Sequence, residues 1–245
     1  MTKRAERVYG AVGLALIASG VVHLVVTAFS ARGWSGPVSF RKPATFGLSF
    51  GLTLLTVVWL LRYLPLRERL AAVLVAVFAA DCVVEVGGIT LQAWRGVPSH
   101  VNRSTPFDSV VASVLAAGGA VLIVTLGLMG LATFRRALAE RVAPSLALAL
   151  RAGFVSLWAG LVTGAAMIGR GVAISNGGDP ARAYDELGFL KPVHGVGLHG
   201  VLVLPLVALA ARCLWRTERQ RLQAVRVAVG GYAALLAAAL VVSLV

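Results

Sequence analysis

Seven long apolar runs follow one another along the chain, each closed by a short stretch of polar or basic residues. They cover Val8–Ser30, Ala44–Leu61, Leu70–Leu91, Ser109–Phe134, Ser145–Ile168, Val193–Leu214 and Ala224–Val245. A helix needs about 20 residues to cross roughly 30 Å of hydrocarbon, and each run has about that length. None alternates with the period of two that a membrane strand requires. Without water in the bilayer core, backbone groups must pair within their own segment, so each run predicts a helix. The expected fold is an all-α integral membrane domain of seven transmembrane helices spanning residues 1–245. The first run opens on basic residues like a signal peptide, yet it exceeds the 7–15 apolar residues of one and is expected to be a retained helix.

Composition agrees. Of 245 residues, 58% are hydrophobic and 13% charged, where a soluble domain carries about 25% charged. Mean hydropathy is +0.86. The net charge of +13 sits in short clusters between the runs, which suits anionic lipid headgroups and speaks against nucleic acid as a partner. Lys and Arg divide unevenly between alternate connections. Positions 3–7, 62–69, 135–151 and 212–226 hold fifteen of them; positions 32–42, 95–103 and 170–191 hold eight. The richer side is expected to be cytoplasmic. That orientation puts the N-terminus inside and the C-terminus outside, in a bacterial-type plasma membrane. Cys82 and Cys213 fall at different depths and read as buried small hydrophobes.

A repeat recurs in register with these runs. Arg41-Lys42-Pro43 with Gly51 returns as Leu190-Lys191-Pro192 with Gly200, both at an offset of 149. The nine residues from Arg69 match those from Arg221 at seven positions, and Gly13-Leu14 pairs weakly with Gly160-Leu161. Equal running directions predict a parallel 3+1+3 helix repeat about an axis along the membrane normal. The plan resembles that of sugar-exporter and PQ-loop membrane proteins and of opsin-like seven-helix proteins. It lacks the PQ signature and the seventh-helix lysine.

The distinctive polar residues gather in the connections expected outside. Asp81 and Glu85 lie four apart, on one helical face that Gln92 extends. Carboxyls in hydrocarbon are expensive, so these are expected to face the bundle as a catalytic or proton-binding pair. Asp108 and His100 complete the expected catalytic set. Arg41, Lys42, Asn102, Arg103, Lys191 and Gln92 are the expected substrate-binding residues, at the rim of an outward-facing polar cavity. His23, His194 and His199 are the candidate metal ligands. His194 and His199 are five apart, 140° around a helix, and do not share a face. The simpler alternatives are interhelical hydrogen bonding for the histidines and interfacial snorkelling for the lysines.

Three functions fit these residues. The first is a metal-assisted membrane-embedded enzyme, with zinc as cofactor and a lipid or amphiphilic small molecule as substrate. Ser99-His100, Asp108 and His194/His199 partly resemble the Ser/His, Asp and His-x-x-x-His positions of the seven-helix zinc hydrolases that include ceramidases and adiponectin receptors. Here four residues separate the histidine pair instead of three. The second is a small-solute or proton-coupled transporter using Asp81 and Glu85. The third is a haem-binding electron carrier with two axial histidines.

Overall fold

The structure is a computed structural model that describes residues 2–244. Among these the chain is all-helical, without a strand, and seven helices are long and apolar enough to span a membrane. The helices are α1 Lys3–Phe29, α2 Arg41–Leu60, α3 Glu68–Arg95, α4 Pro106–Ala132, α5 Ala137–Arg141, α6 Pro144–Asn176, α7 Pro180–Glu186, α8 Lys191–Leu214 and α9 Glu218–Leu244.

The spanning helices overrun the apolar runs. Helices α1 and α3 begin in charged residues, at Lys3 and Glu68, and α6 continues to Asn176. Hydropathy marks the part of a helix that meets lipid, whereas the backbone ladder ends only where a cap stops it. Thr2 Oγ1 accepts from the Ala5 amide at 3.3 Å and caps α1. Gly96, at φ 71°, closes α3 in the left-handed region. Pro106 and Pro144 take the first position of α4 and α6, where a missing N–H costs nothing. The short α5 and α7 are additions to the expected seven runs. In α7 the Asp179 carboxylate accepts from the Arg182 amide and Pro180 follows it, a regular helix start.

The chain forms two compact units. The first comprises 1–61, 67–125 and 170–187; the second comprises 62–66, 126–169 and 188–245. In the first unit α1 and α2 meet backbone to backbone. A Cβ on Gly20 would stand 2.6 Å from the Leu48 amide nitrogen, and one on Gly47 would stand 2.8 Å from Gly20 Cα. Gly13 and Gly51 make a second contact of the same kind. Only glycine permits this approach, which supplies close van der Waals packing where lipid offers no hydrophobic driving force. Against this pair α3 buries a stripe at helical spacing: Leu74, Val75, Phe78, Cys82, Val86 and Ile89.

In the second unit α6 and α8 meet through Gly160 with Gly197 and Gly153 with Gly200. Ser156 Oγ donates to the Gly197 carbonyl at 3.0 Å, and Tyr232 on α9 donates to the Val196 carbonyl at 2.6 Å. Met167, Leu190, Val193 and Ala239 form a small core here. Helix α9 otherwise buries little, so its apolar side chains are left for lipid.

Candidate functional site

Four of the expected site residues, Asp81, Glu85, Lys42 and His100, converge in the first unit, around the half of α3 nearest its C-terminus. Asp81 and Glu85 both face inward, 8% and 3% exposed. Their carboxyls press against α4 at Gly118. An ideal Cβ there would overlap Glu85 Oε1 and stand 2.8 Å from Asp81 Oδ1. The same point of α4 thus touches both acids. Asp81 Oδ2 is buried and has no hydrogen-bond partner.

Lys42, in the first turn of α2, links this pair to the loop before α4. Both Lys42 and Asp81 lie within electrostatic range of Glu85. Lys42 Nζ donates to His100 Nδ1 at 3.2 Å, and Ser99 Oγ lies 3.0 Å from the same nitrogen. An ammonium has no acceptor, so Nδ1 must carry its lone pair. Burial, and then the Lys42 charge, hold the His100 imidazole well below its usual titration range.

The loop around His100 is held under strain. Val101 sits at φ 53°, a left-handed backbone that a β-branched residue rarely adopts. Tyr184 on α7 donates to the His100 carbonyl at 2.9 Å, and Ser175 Oγ donates to the Val101 carbonyl at 3.3 Å. Burial pushes the Tyr184 phenol up to about 12, so it stays a donor at any physiological pH. Arg182 and Arg170 both pair with Glu186 and hold α7 in place. These pairs also hold the Glu186 carboxyl below its ordinary range.

Gln92 and Asp108 are buried too, but with a structural task. Asp108 Oδ1 accepts from Gln92 Nε2 at 2.9 Å and from Arg95, and Oδ2 accepts from Thr105 Oγ1 at 2.7 Å. Thr105 Oγ1 in turn accepts from the Asp108 amide at 3.1 Å. This is an N-terminal cap of α4 locked to the end of α3. The acceptors of Asp108 are thereby occupied. Asn102 is likewise a loop former: its Oδ1 accepts from the Ser104 amide and hydroxyl, and its amide donates to the Pro98 carbonyl. Arg103 is exposed. Arg41 Nε donates to the Trp34 carbonyl at 3.0 Å and anchors the 30–40 loop.

The histidines read as metal ligands are divided between the two units. His23 Nδ1 donates to the Ser19 carbonyl at 2.7 Å, and its Nε2 accepts from Trp94 Nε1 at 3.1 Å. Both ring nitrogens are therefore engaged. Phe40 stacks nearby, with its ring 5.0 Å from Trp94 and the Arg32 guanidinium 4.7 Å above it. His194 and His199 belong to the second unit, with Lys191. His194 Nδ1 donates to the Gly160 carbonyl on α6 at 2.7 Å. His199 is exposed, bonded to the Gly195 carbonyl one turn earlier. The two diverge as their spacing requires. Lys191 lies against Gly188. Among the described residues no group of three or more His, Cys, Asp or Glu is arranged to hold a metal ion.

Gly118 is the residue that sequence reading missed. Its signal is faint: it is one of two adjacent glycines in an alanine-rich helix, and only the pairing of α3 with α4 gives it meaning. No protein family, no curated protein and no solved structure matches this chain.

Proposed function

We propose that the chain is a proton-coupled membrane transporter of a small solute, with Asp81 and Glu85 as the groups that take up and release the coupling proton. One observation carries this reading: two neighbouring carboxyls are buried in a spanning segment against a bare stretch of α4 backbone, and Asp81 Oδ2 has no partner. A carboxylate left so in hydrocarbon is strongly disfavoured, whereas a protonated carboxyl is tolerated. Two acids this close also resist ionising together. The pair is thus suited to hold one proton and to surrender it when its surroundings change.

The loop end of this unit holds Lys42, Ser99, His100 and Tyr184. The opposite half of α3 buries Leu74, Val75 and Phe78. The excess of Lys and Arg at positions 3–7, 62–69, 135–151 and 212–226 supports a reading in which the polar end faces the extracytoplasmic side. The 3+1+3 repeat belongs to this reading. In its favour, the pairs Gly13·Gly51 and Gly20·Gly47 have counterparts in Gly153·Gly200 and Gly160·Gly197, with Gly51 and Gly200 offset by 149 and Gly47 and Gly197 by 150. They align Gly13 with Gly153, one heptad away from the Gly13–Gly160 match suggested by sequence alone. Asp81 and Glu85 then fall opposite Ala233 and Ala237, so the acids are an addition to one half of a duplicated scaffold.

The zinc-enzyme reading draws less support, because the expected ligand histidines are engaged with backbone or Trp94 and lie in different clusters. Infrared difference spectroscopy of the protein in lipid bilayers tests the proton site. Between about pH 5 and about pH 9 the carbonyl band of a protonated carboxyl should disappear, and Glu85→Gln or Asp81→Asn should remove it. A pair that keeps one protonation state across that range ends the proposal.

A further inference from the structure

We infer that the Asp81–Glu85 pair is a binding site for one monovalent cation, an alkali ion or a small organic ammonium, which displaces the proton. This rests on the proposed function and names its solute class.

The argument is a charge balance inside the first unit. Ionised Asp81 and Glu85 contribute two negative charges. Lys42 from α2 contributes one positive charge within range of Glu85. His100 contributes none, because its Nδ1 accepts from Lys42 Nζ at 3.2 Å and its ring is buried. Cys82, beside the acids on α3, is fully buried and contributes no charge as a thiol. From α1, His23 is bound to Ser19 and Trp94, and on α4 Asp108 is bound to Gln92, Thr105 and Arg95. The balance is one negative charge in excess.

A buried site does not hold such an excess uncompensated. A proton on one carboxyl cancels it, and so does one monovalent cation. A divalent ion would overshoot and would have to surrender more of its water. The partnerless Asp81 Oδ2, on a side chain more than nine-tenths buried, is the acceptor that such a cation finds unused. At Gly118 the α4 backbone packs directly on Glu85 Oε1 and Asp81 Oδ1 and brings no side chain there to pair with them. The exchange balances: carboxylic acid plus cation gives the carboxylate–cation pair plus a proton, which leaves to water at the loop end. Lys42 acts as a tethered counter-charge for the second carboxylate.

The test uses the purified full chain in lipid nanodiscs in weakly buffered solution. Sodium, potassium, methylammonium and tetramethylammonium chlorides are added in turn, and released protons are counted with a pH dye. At least one of them should release about one proton per chain, and magnesium chloride at matched ionic strength none. Asp81→Asn and Glu85→Gln should abolish release. Lys42→Arg should keep the stoichiometry, and Lys42→Met, in which the second carboxyl keeps its own proton, should still release about one. Helical circular dichroism and a monodisperse elution profile establish that each variant is folded. If no monovalent salt releases protons while the infrared band still titrates, the cation site is refuted and the proton site stands. If the band does not titrate at all, both fail. Release by magnesium, or a count of about two in a folded Lys42→Met, also overturns the inference.

Discussion

Lys42 Nζ donates to Nδ1 of His100 across 3.2 Å, so a cation and a neutral imidazole are held together in a buried corner. The unfolded chain binds a proton on this histidine near its ordinary value of about 6.5, and the folded chain resists it to lower pH. As pH falls below that value the unfolded state holds more protons. The stabilisation, complete above it, is lost progressively on acidification. Thermal melts at stepped pH should show this loss, and Lys42→Met should shift it upward by relieving the like-charge contact. A melting profile flat from about pH 7 to about pH 4 would contradict this assignment.

Gly118 and Gly119 are chemically identical neighbours with opposite surroundings. A methyl at 118 would strike the oxygens of Glu85 and Asp81, while nothing lies within 4 Å of one at 119. Gly118→Ala should therefore destabilise by about 1–3 kcal/mol, as overpacked sites do. It should also shift the carboxyl infrared band. Gly119→Ala should be neutral or stabilise by up to about 1 kcal/mol through helix propensity. Chemical denaturation in mixed micelles separates the two, and equal effects would mean that α4 does not present Gly118 to the acids.

His23 should be the Nδ1–H tautomer, because Ser19 takes that proton and Trp94 donates to the other nitrogen. Nitrogen chemical shifts of labelled histidine read this directly. Trp94→Phe should cost about 1 kcal/mol, the usual net value of one hydrogen bond. A Nε2–H tautomer would show that the Trp94 bond is not made.

The sidedness proposed from the Lys and Arg count is checked by cysteine labelling in intact cells, on a background in which Cys82 and Cys213 are Ala. Ser104→Cys should react with a membrane-impermeant maleimide and Ala137→Cys should react only after permeabilisation. The reverse pattern would invert the topology and put the carboxyl site at the cytoplasmic face.

Much of this fold was legible because depth in a membrane is written in hydropathy. The seven spans appear in the sequence, and the inward face of α3 was legible from the spacing of Asp81, Glu85 and Gln92. Helix ends were legible only to within a turn or two, since caps such as Thr2 and Gly96 act beyond the apolar stretch. The divergence of His194 from His199 followed from five steps of 100°. What the sequence did not give was pairing between helices. Asp108 and Gln92 resemble catalytic residues until Thr105 and Arg95 are seen to use them as a cap. Gly118 is one glycine among 27 until α4 is laid on α3.

Helices α1 and α2 touch through their backbones at Gly20 and Gly47, and again at Gly13 and Gly51. Such a junction has no side chains to shear or re-rotamerise, so the two helices behave as a single beam. Lys42 is mounted at the tip of that beam and cannot retreat from Glu85 by a slide of α2 alone. Its own four-carbon arm can swing, and the acids can separate from Gly118 if α3 and α4 part. An opening that freed the acids would therefore have to run along the seam between α3 and α4, with the beam as its fixed jaw.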